Sequence, residues 1–161
     1  MKPLFLSTDT SILADGSEAR RRMEEYAMLF DELHIIVYSS LGSPEASGSL
    51  FLYPVQGSKL IRLFKLWRIA ARVIKKVRPD VISAQGPDET GLVGYLLSWW
   101  FDIPLQIQIH TDVFSPWYRR ASWKERIRYW LARFLIPRAD CIRVVSERIR
   151  DSILRKSDFP W

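Results

Sequence analysis

Two histidines and one cysteine are all the imidazole and thiol groups of this 161-residue chain, so a zinc site would need carboxylates as well. His110 closes the alternating run Leu105-Gln106-Ile107-Gln108-Ile109, and Thr111-Asp112 opens the loop that follows. The C-terminal end of an internal strand is where open α/β sheets bind ligands. His110, with Asp112 beside it, is therefore a candidate for holding a substrate. A histidine hydrogen-bonded into its own loop, with no ligand, is the alternative. Gln85 ends the apolar run Asp80–Gln85 in the same way and is a second candidate. Gly16 and Ser17 stand where the first helix should open, and free N–H groups at a helix N-terminus suit an anion. His34 starts an apolar run and reads as structural. Cys141 lies in Cys141-Ile142-Arg143-Val144-Val145 and reads as an inert, packed thiol.

The elements that would position these residues can be read from periodicity and punctuation. Leu4–Ser7 is a first strand, followed by a loop over Thr8–Ala14. Asp15-Gly16-Ser17-Glu18 has capping-box spacing, with Asp15 and Glu18 three apart. The helix it opens carries Ala19, Met23, Tyr26, Ala27 and Phe30. Leu33–Tyr38 is a strand, Ser39–Ser49 a loop, and Leu50–Tyr53 a short strand closed by Pro54. Lys59–Arg78 is an amphipathic helix with Leu60, Leu63, Phe64, Trp67, Ala70, Ala71, Ile74 and Val77 in one stripe. Asp80–Gln85 follows as a strand of the kind buried on both faces. Asp88 caps a helix over Thr90–Trp100, which ends before Ile103-Pro104 because a residue preceding proline leaves the α region. Leu105–Ile109 is the next strand, and Val113–Ala121 an aromatic, basic loop. Ser122 and Glu125 form a second capping box, opening a helix to Ile136 that Pro137 ends. Cys141–Val145 is a sixth strand, and Ser146 caps a last helix through Lys156. The tail Ser157–Trp161 has no evident partner. This β-α-β-β-α-β-α-β-α-β-α order predicts one Rossmann-like α/β/α domain over residues 1–156, with a mostly parallel sheet between helical layers.

Composition narrows the function. Apolar residues make up 48% and charged residues 26%, which is globular. A formal charge of +6 favours an acidic partner such as a phosphate or an anionic lipid. A lone cysteine fits a reducing compartment. No leader peptide is visible, and no run approaches the roughly 18 to 20 apolar residues that span a bilayer. There is no G-x-G-x-x-G, P-loop or G-x-S-x-G, and no zinc-ligand spacing. No metal site is predicted.

Four stretches resemble a known family. Gly16-Ser17-Glu18 at the first helix, Arg78-Pro79-Asp80-Val81-Ile82, Ile103-Pro104 leading to His110, and Arg138–Glu147 (RADCIRVVSE) resemble, in order and interval, the N-terminal half of the family 4 GT-B-fold glycosyltransferases. The resemblance implies an acceptor-binding domain of a retaining enzyme. Such an enzyme transfers a sugar from a nucleotide-sugar to an acceptor hydroxyl without metal or resident cofactor. His110 would position the transferring sugar or the acceptor, and Gly16, Ser17, Gln85 and Asp112 would bind substrate. Two positions depart from the family: Gln85 stands where a histidine is usual, and a single Gly16 follows Asp15 where glycines are paired. The family's second domain, with its Glu-x7-Glu motif and diphosphate ligands, is absent from this chain. The nucleotide-sugar is bound mainly there, so the chain alone is expected to be inactive without that domain in cis or trans. A non-catalytic module binding a glycan, a phosphate or a partner chain is the alternative.

Lys59–Arg78 and Trp117–Arg138 each combine basic residues with aromatics. Such helices can lie on anionic bilayers, each cation adding about 1 kcal/mol near the surface. The sequence thus points to a cytoplasmic protein that can sit at the inner face of the membrane, with a glycan or lipid-linked acceptor. Nucleic acid is not an expected partner, because the aromatics follow helix-core spacing rather than forming stacking platforms.

Overall fold

Leu, Ile and Val dominate the strands, and their side chains alternate between two cores. In the computed structural model, which describes residues 1–39, 42–57 and 59–156 (side chains of 59, 60, 62 and 156 excepted), seven strands form one sheet. These are β1 (Pro3–Ser7), β2 (Leu33–Val37), β3 (Glu45–Ser47), β4 (Leu50–Pro54), β5 (Val81–Ala84), β6 (Leu105–Ile109) and β7 (Cys141–Val144). Their order is β3-β4-β2-β1-β5-β6-β7, parallel except for β3 against β4. Leaving out β3, this is the doubly wound order of a Rossmann-type sheet.

Among the described residues six α-helices complete the domain: α1 (Glu18–Ala27), α2 (Lys59–Val77), α3 (Glu89–Phe101), α4 (Tyr118–Ala121), α5 (Trp123–Leu135) and α6 (Glu147–Lys156). Successive strand residues point to opposite faces. Leu33, Ile35 and Val37 accordingly pack with Ala19, Met23 and Ala27 of α1. Ile36 joins Leu4, Leu6, Ile82 and Ile107 in a second core with α2, α3 and α5. The predicted three-layer α/β/α class is the observed one.

Helix α3 lies close against the sheet through two glycines. A Cβ on Gly91 would stand 2.5 Å from the Gly86 carbonyl oxygen, and one on Gly94 would stand 3.1 Å from Leu105 Cδ1. Asp88 caps α3 as predicted, accepting from the Thr90 N–H at 3.0 Å. Asp102, at φ +53°, ends it in the left-handed conformation.

Several local expectations are corrected. Ser17, not Asp15, caps α1: its hydroxyl accepts from the Arg20 N–H at 3.0 Å, and Gly16 at φ +73° turns Asp15 away from the helix. The Thr8–Ala14 loop contains a 3₁₀ turn, Thr10–Leu13, capped by Asp9 and holding buried Ile12. The Ser39–Ser49 loop contains β3, and Val113–Ala121 contains α4. In α2, Phe64 is exposed, while Leu66 and Val73 are buried in the core. Cys141 is exposed and not packed: β7 is an edge strand, with no described strand beyond it to shield its side chains. Ser122 and Ser146 cap α5 and α6 as read. The tail Ser157–Trp161 and the stripe position Leu60 fall outside the described residues and side chains.

Candidate functional site

β1 and β5 lie side by side, and the chain leaves them in opposite directions, by α1 toward β2 and by α3 toward β6. The crevice beyond their carboxyl ends is the topological switch point, the usual ligand position in such sheets. Here the Ser7 hydroxyl donates to Gln85 Oε1 at 2.5 Å and accepts from the Asp9 N–H at 3.0 Å. The Gln85 N–H donates to the Leu6 carbonyl at 3.0 Å. Gln85 is thereby fixed across the crevice by its oxygen, while its amide NH2 donates to no described residue.

A small cavity of about 120 Å³ opens beside it, with Gln85, Asp88, His110, Tyr118 and Arg128 in its walls. Gln85 arrives on the end of β5 and His110 on the end of β6, neighbours in the sheet. Partial burial, joined by the positive charges of Arg143 and Arg22, holds the His110 imidazole below its usual range. It is therefore neutral at physiological pH, with one ring nitrogen to donate and one to accept. Burial raises the Tyr118 hydroxyl above its ordinary range, so it too stays protonated.

Asp88 and Arg128 also form part of a larger cleft of about 570 Å³. Leu63 and Leu66 of α2 and Trp123 and Ile127 of α5 give it apolar sides, and Thr8 and Glu89 give it polar ones. Arg128 is the wall between the two spaces. Its guanidinium donates to Glu89 at 3.2 Å and lies 3.9 Å from Glu125. Its Nε is buried and has no hydrogen-bond partner. An unmet donor of this kind costs roughly 1–3 kcal/mol, and an acceptor on a bound ligand would remove that cost.

The structure thus brings together two of the five predicted site residues, Gln85 and His110. Asp112 accepts from the Ser152 hydroxyl at 2.7 Å and so ties its loop to α6. The Ser17 hydroxyl is occupied by its capping bond and by donation to the Ser11 carbonyl at 2.6 Å. Gly16 has open space where a Cβ would be. Neither Gly16 nor Ser17 lines the two cavities. Ser7, Tyr118, Arg128 and Trp123 were not predicted. Only the aromatic, basic character of residues 117–138 hinted at the last three, and nothing marked Ser7. Among the described residues no group of three His, Cys, Asp or Glu could hold a metal ion.

The model of the glycosyl transferase 4-like domain matches residues 14–160. The chain belongs to that family. No curated protein matches it. Among solved structures it is similar to sucrose-phosphate synthase from Thermosynechococcus elongatus, with a TM-score of 0.77 at 17% identity over 97% of this chain and 45% of that one. It is also similar to UDP-GlcNAc 2-epimerase from Methanocaldococcus jannaschii, solved with UDP-GlcNAc and UDP (TM-score 0.62, 18% identity, 97% and 43% coverage). UDP-N-acetylglucosamine 2-epimerase from Rickettsia bellii is a third (0.63, 11%, 97% and 42%). At these identities the likeness is one of fold: a Rossmann-like domain of GT-B type. The chain spans less than half the length of each of these three proteins.

Proposed function

We propose that this domain is the acceptor-binding half of a glycosyltransferase that moves a sugar from a nucleotide-sugar to an acceptor hydroxyl with retention. The observation that carries the reading is the paired cavity at the switch point, in a chain of the glycosyl transferase 4-like family. Neutral His110 and the free amide of Gln85 supply hydrogen bonds for sugar or acceptor hydroxyls. Arg128 offers a fixed positive charge and one open donor to a phosphate or hydroxyl oxygen, and the apolar sides of the cleft cover the remainder of the acceptor. Gly16, with open space at the start of α1, allows backbone N–H groups to approach the substrate. Asp112 acts by holding the loop after His110.

The donor diphosphate is bound mainly by a second domain, in cis or in trans, and preorganised charge there stabilises the departing group. Neither metal nor resident cofactor is required in this reading. This reading sets the reaction in the cytoplasm; use of nucleotide-sugars and a lone cysteine, Cys141, which fits a reducing compartment, support it. The test combines this chain with a donor domain of the same family and follows nucleoside diphosphate release over a panel of nucleotide-sugars and acceptors. Release that needs both parts, and a product keeping the donor's anomeric configuration by NMR, supports the reading. Acceptor binding with no transfer from any donor would replace it with a binding module.

A further inference from the structure

Four large apolar side chains on α5 are exposed, although Trp130 touches Tyr129 and Phe134 touches Tyr95 and Arg138 at their edges. Trp123, Ile127, Trp130 and Phe134 recur at i, i+4, i+7 and i+11 and are 68%, 50%, 57% and 41% exposed. Amphipathic helices normally turn such a stripe inward. On α5 the buried positions are Ala132 and Leu135 instead, so the helix carries a second apolar stripe on its outer side.

The patch continues onto α3. The Phe134 ring meets Tyr95 edge-on at 5.5 Å, and Trp99 follows one turn later, 6.2 Å from Trp100. Trp99 and Trp100 are both largely exposed. Soluble proteins rarely show contiguous apolar patches beyond a few hundred Å². Around the patch, Arg119, Arg120, Lys124, Arg126 and Arg133 make no ion pair among the described residues. The acidic residues nearby are already engaged, Glu125 by Ser122 and Arg128, and Glu89 by Arg128.

We infer that this α3–α5 face docks on an anionic lipid bilayer. Indoles present an apolar body and a polar N–H, which suits the headgroup level. Arginines beside them with no ion pair among the described residues complement anionic headgroups. The α5 helix, about 20 Å long, would lie in the interface plane. Trp123 and Ile127 belong both to this stripe and to the large cleft, so docking sets the cleft rim at the membrane surface. α2 also carries exposed Phe64 and cations, but has no tryptophan on its exposed side.

The experiment is sedimentation of the chain with vesicles of phosphatidylcholine alone and of a two-to-one mixture with phosphatidylglycerol, without donor or acceptor. It can therefore fail while the transferase reading stands. Wild type should bind the mixed vesicles, with a blue shift of tryptophan emission, and should release with salt. The exposed pair Arg126→Glu/Arg133→Glu should bind about tenfold more weakly or worse. Trp99→Ser/Trp130→Ser should lose both binding and blue shift. Lys65→Glu/Arg68→Glu on α2 should change binding by no more than about twofold. Urea unfolding checks that each variant is folded. Absence of wild-type binding at low salt overturns the proposal, as does a larger effect from the α2 pair. A wild-type dimer that the tryptophan variants dissociate, with vesicle binding untouched, would assign the face to a second copy of the chain.

Discussion

His110 and His34 show how one residue type takes two roles from its surroundings. His34 is buried in β2, with its ring between the Tyr53 hydroxyl and Glu32 at 3.0 Å each and stacked on Phe51. Burial is the main influence on its pKa and lowers it, against the pull of Glu32. His110 faces a cavity, and its ring makes no hydrogen bond to a described residue. In the complete transferase, His110→Ala should lower kcat/KM at least about tenfold, the value of one lost substrate hydrogen bond, with the urea midpoint nearly unchanged. Unchanged kinetics would remove it from the site. Both histidines have lowered folded-state pKa values, so the unfolded chain binds more protons as pH falls below the unfolded value. Stability should therefore drop between about pH 7.5 and 5.5. Urea midpoints at the two pH values check this, and His34→Phe should flatten the slope. Position alone marked Gln85 and His110 in the sequence, because strand ends can be read from a run and its breaker. Ser7 and Arg128 could not be found that way. Their roles depend on Gln85 lying 78 positions away from Ser7, and on Glu89 lying 39 from Arg128.

The strands were legible because each is an apolar or alternating run bounded by proline, glycine or a charge. The Leu105–Ile109 alternation has a concrete cause. Leu105, Ile107 and Ile109 enter the core, while Gln106 and Gln108 face a polar ladder through the Ser83 hydroxyl at 2.9 Å each. β3 escaped notice because Glu45-Ala46-Ser47 has no apolar signal, and its place is set by partners distant in sequence, the β4 ladder and Arg20. The α2 stripe faces the core at Leu63, Trp67, Ala70, Ala71, Ile74 and Val77, but Phe64 is exposed and Leu66 and Val73 are buried. The reason is that this helix has apolar residues around most of its circumference, and tertiary contacts select among them. Gly91 carried no signal either, since a glycine within a helical pattern usually lowers confidence in the helix. Its reason is proximity: α3 can pass over Gly86 only without a Cβ. Gly91→Ala should destabilise by about 2 kcal/mol or more, because a backbone carbonyl cannot move aside as a side chain can. Denaturant unfolding measures it. A midpoint equal to wild type would show that α3 can shift outward at little cost.

Joining the layers into one molecule requires something at the sheet edge, where β3 has a single neighbour. Alternating elements announced the parallel sheet and its two helical layers, but not what secures the edge, because the securing contact joins a buried arginine to a half-exposed glutamate 25 positions away. Arg20 of α1 is 4% exposed, donating to Glu24 at 2.8 Å and to both oxygens of Glu45 on β3. Hydrogen bonding to Glu45 leads the influences that hold its guanidinium charged, and the same bond depresses the Glu45 pKa. This contribution to stability is present above the ordinary glutamate range and is lost as pH falls through the lowered value. Arg20→Ala removes the charge and leaves a cavity under α1. It should cost roughly 1–3 kcal/mol, below the 3–5 typical of a fully buried pair because both glutamates are partly solvated. Arg20→Met fills the space without the charge and should recover part of that loss. If the pair is what fastens the edge, amide hydrogens of β3 and β4 should exchange faster in both variants, while those of β1 and β5 follow global stability alone. Equal acceleration across the sheet would mean that Arg20 supports the core as a whole, and that β3 is held by its ladder to β4.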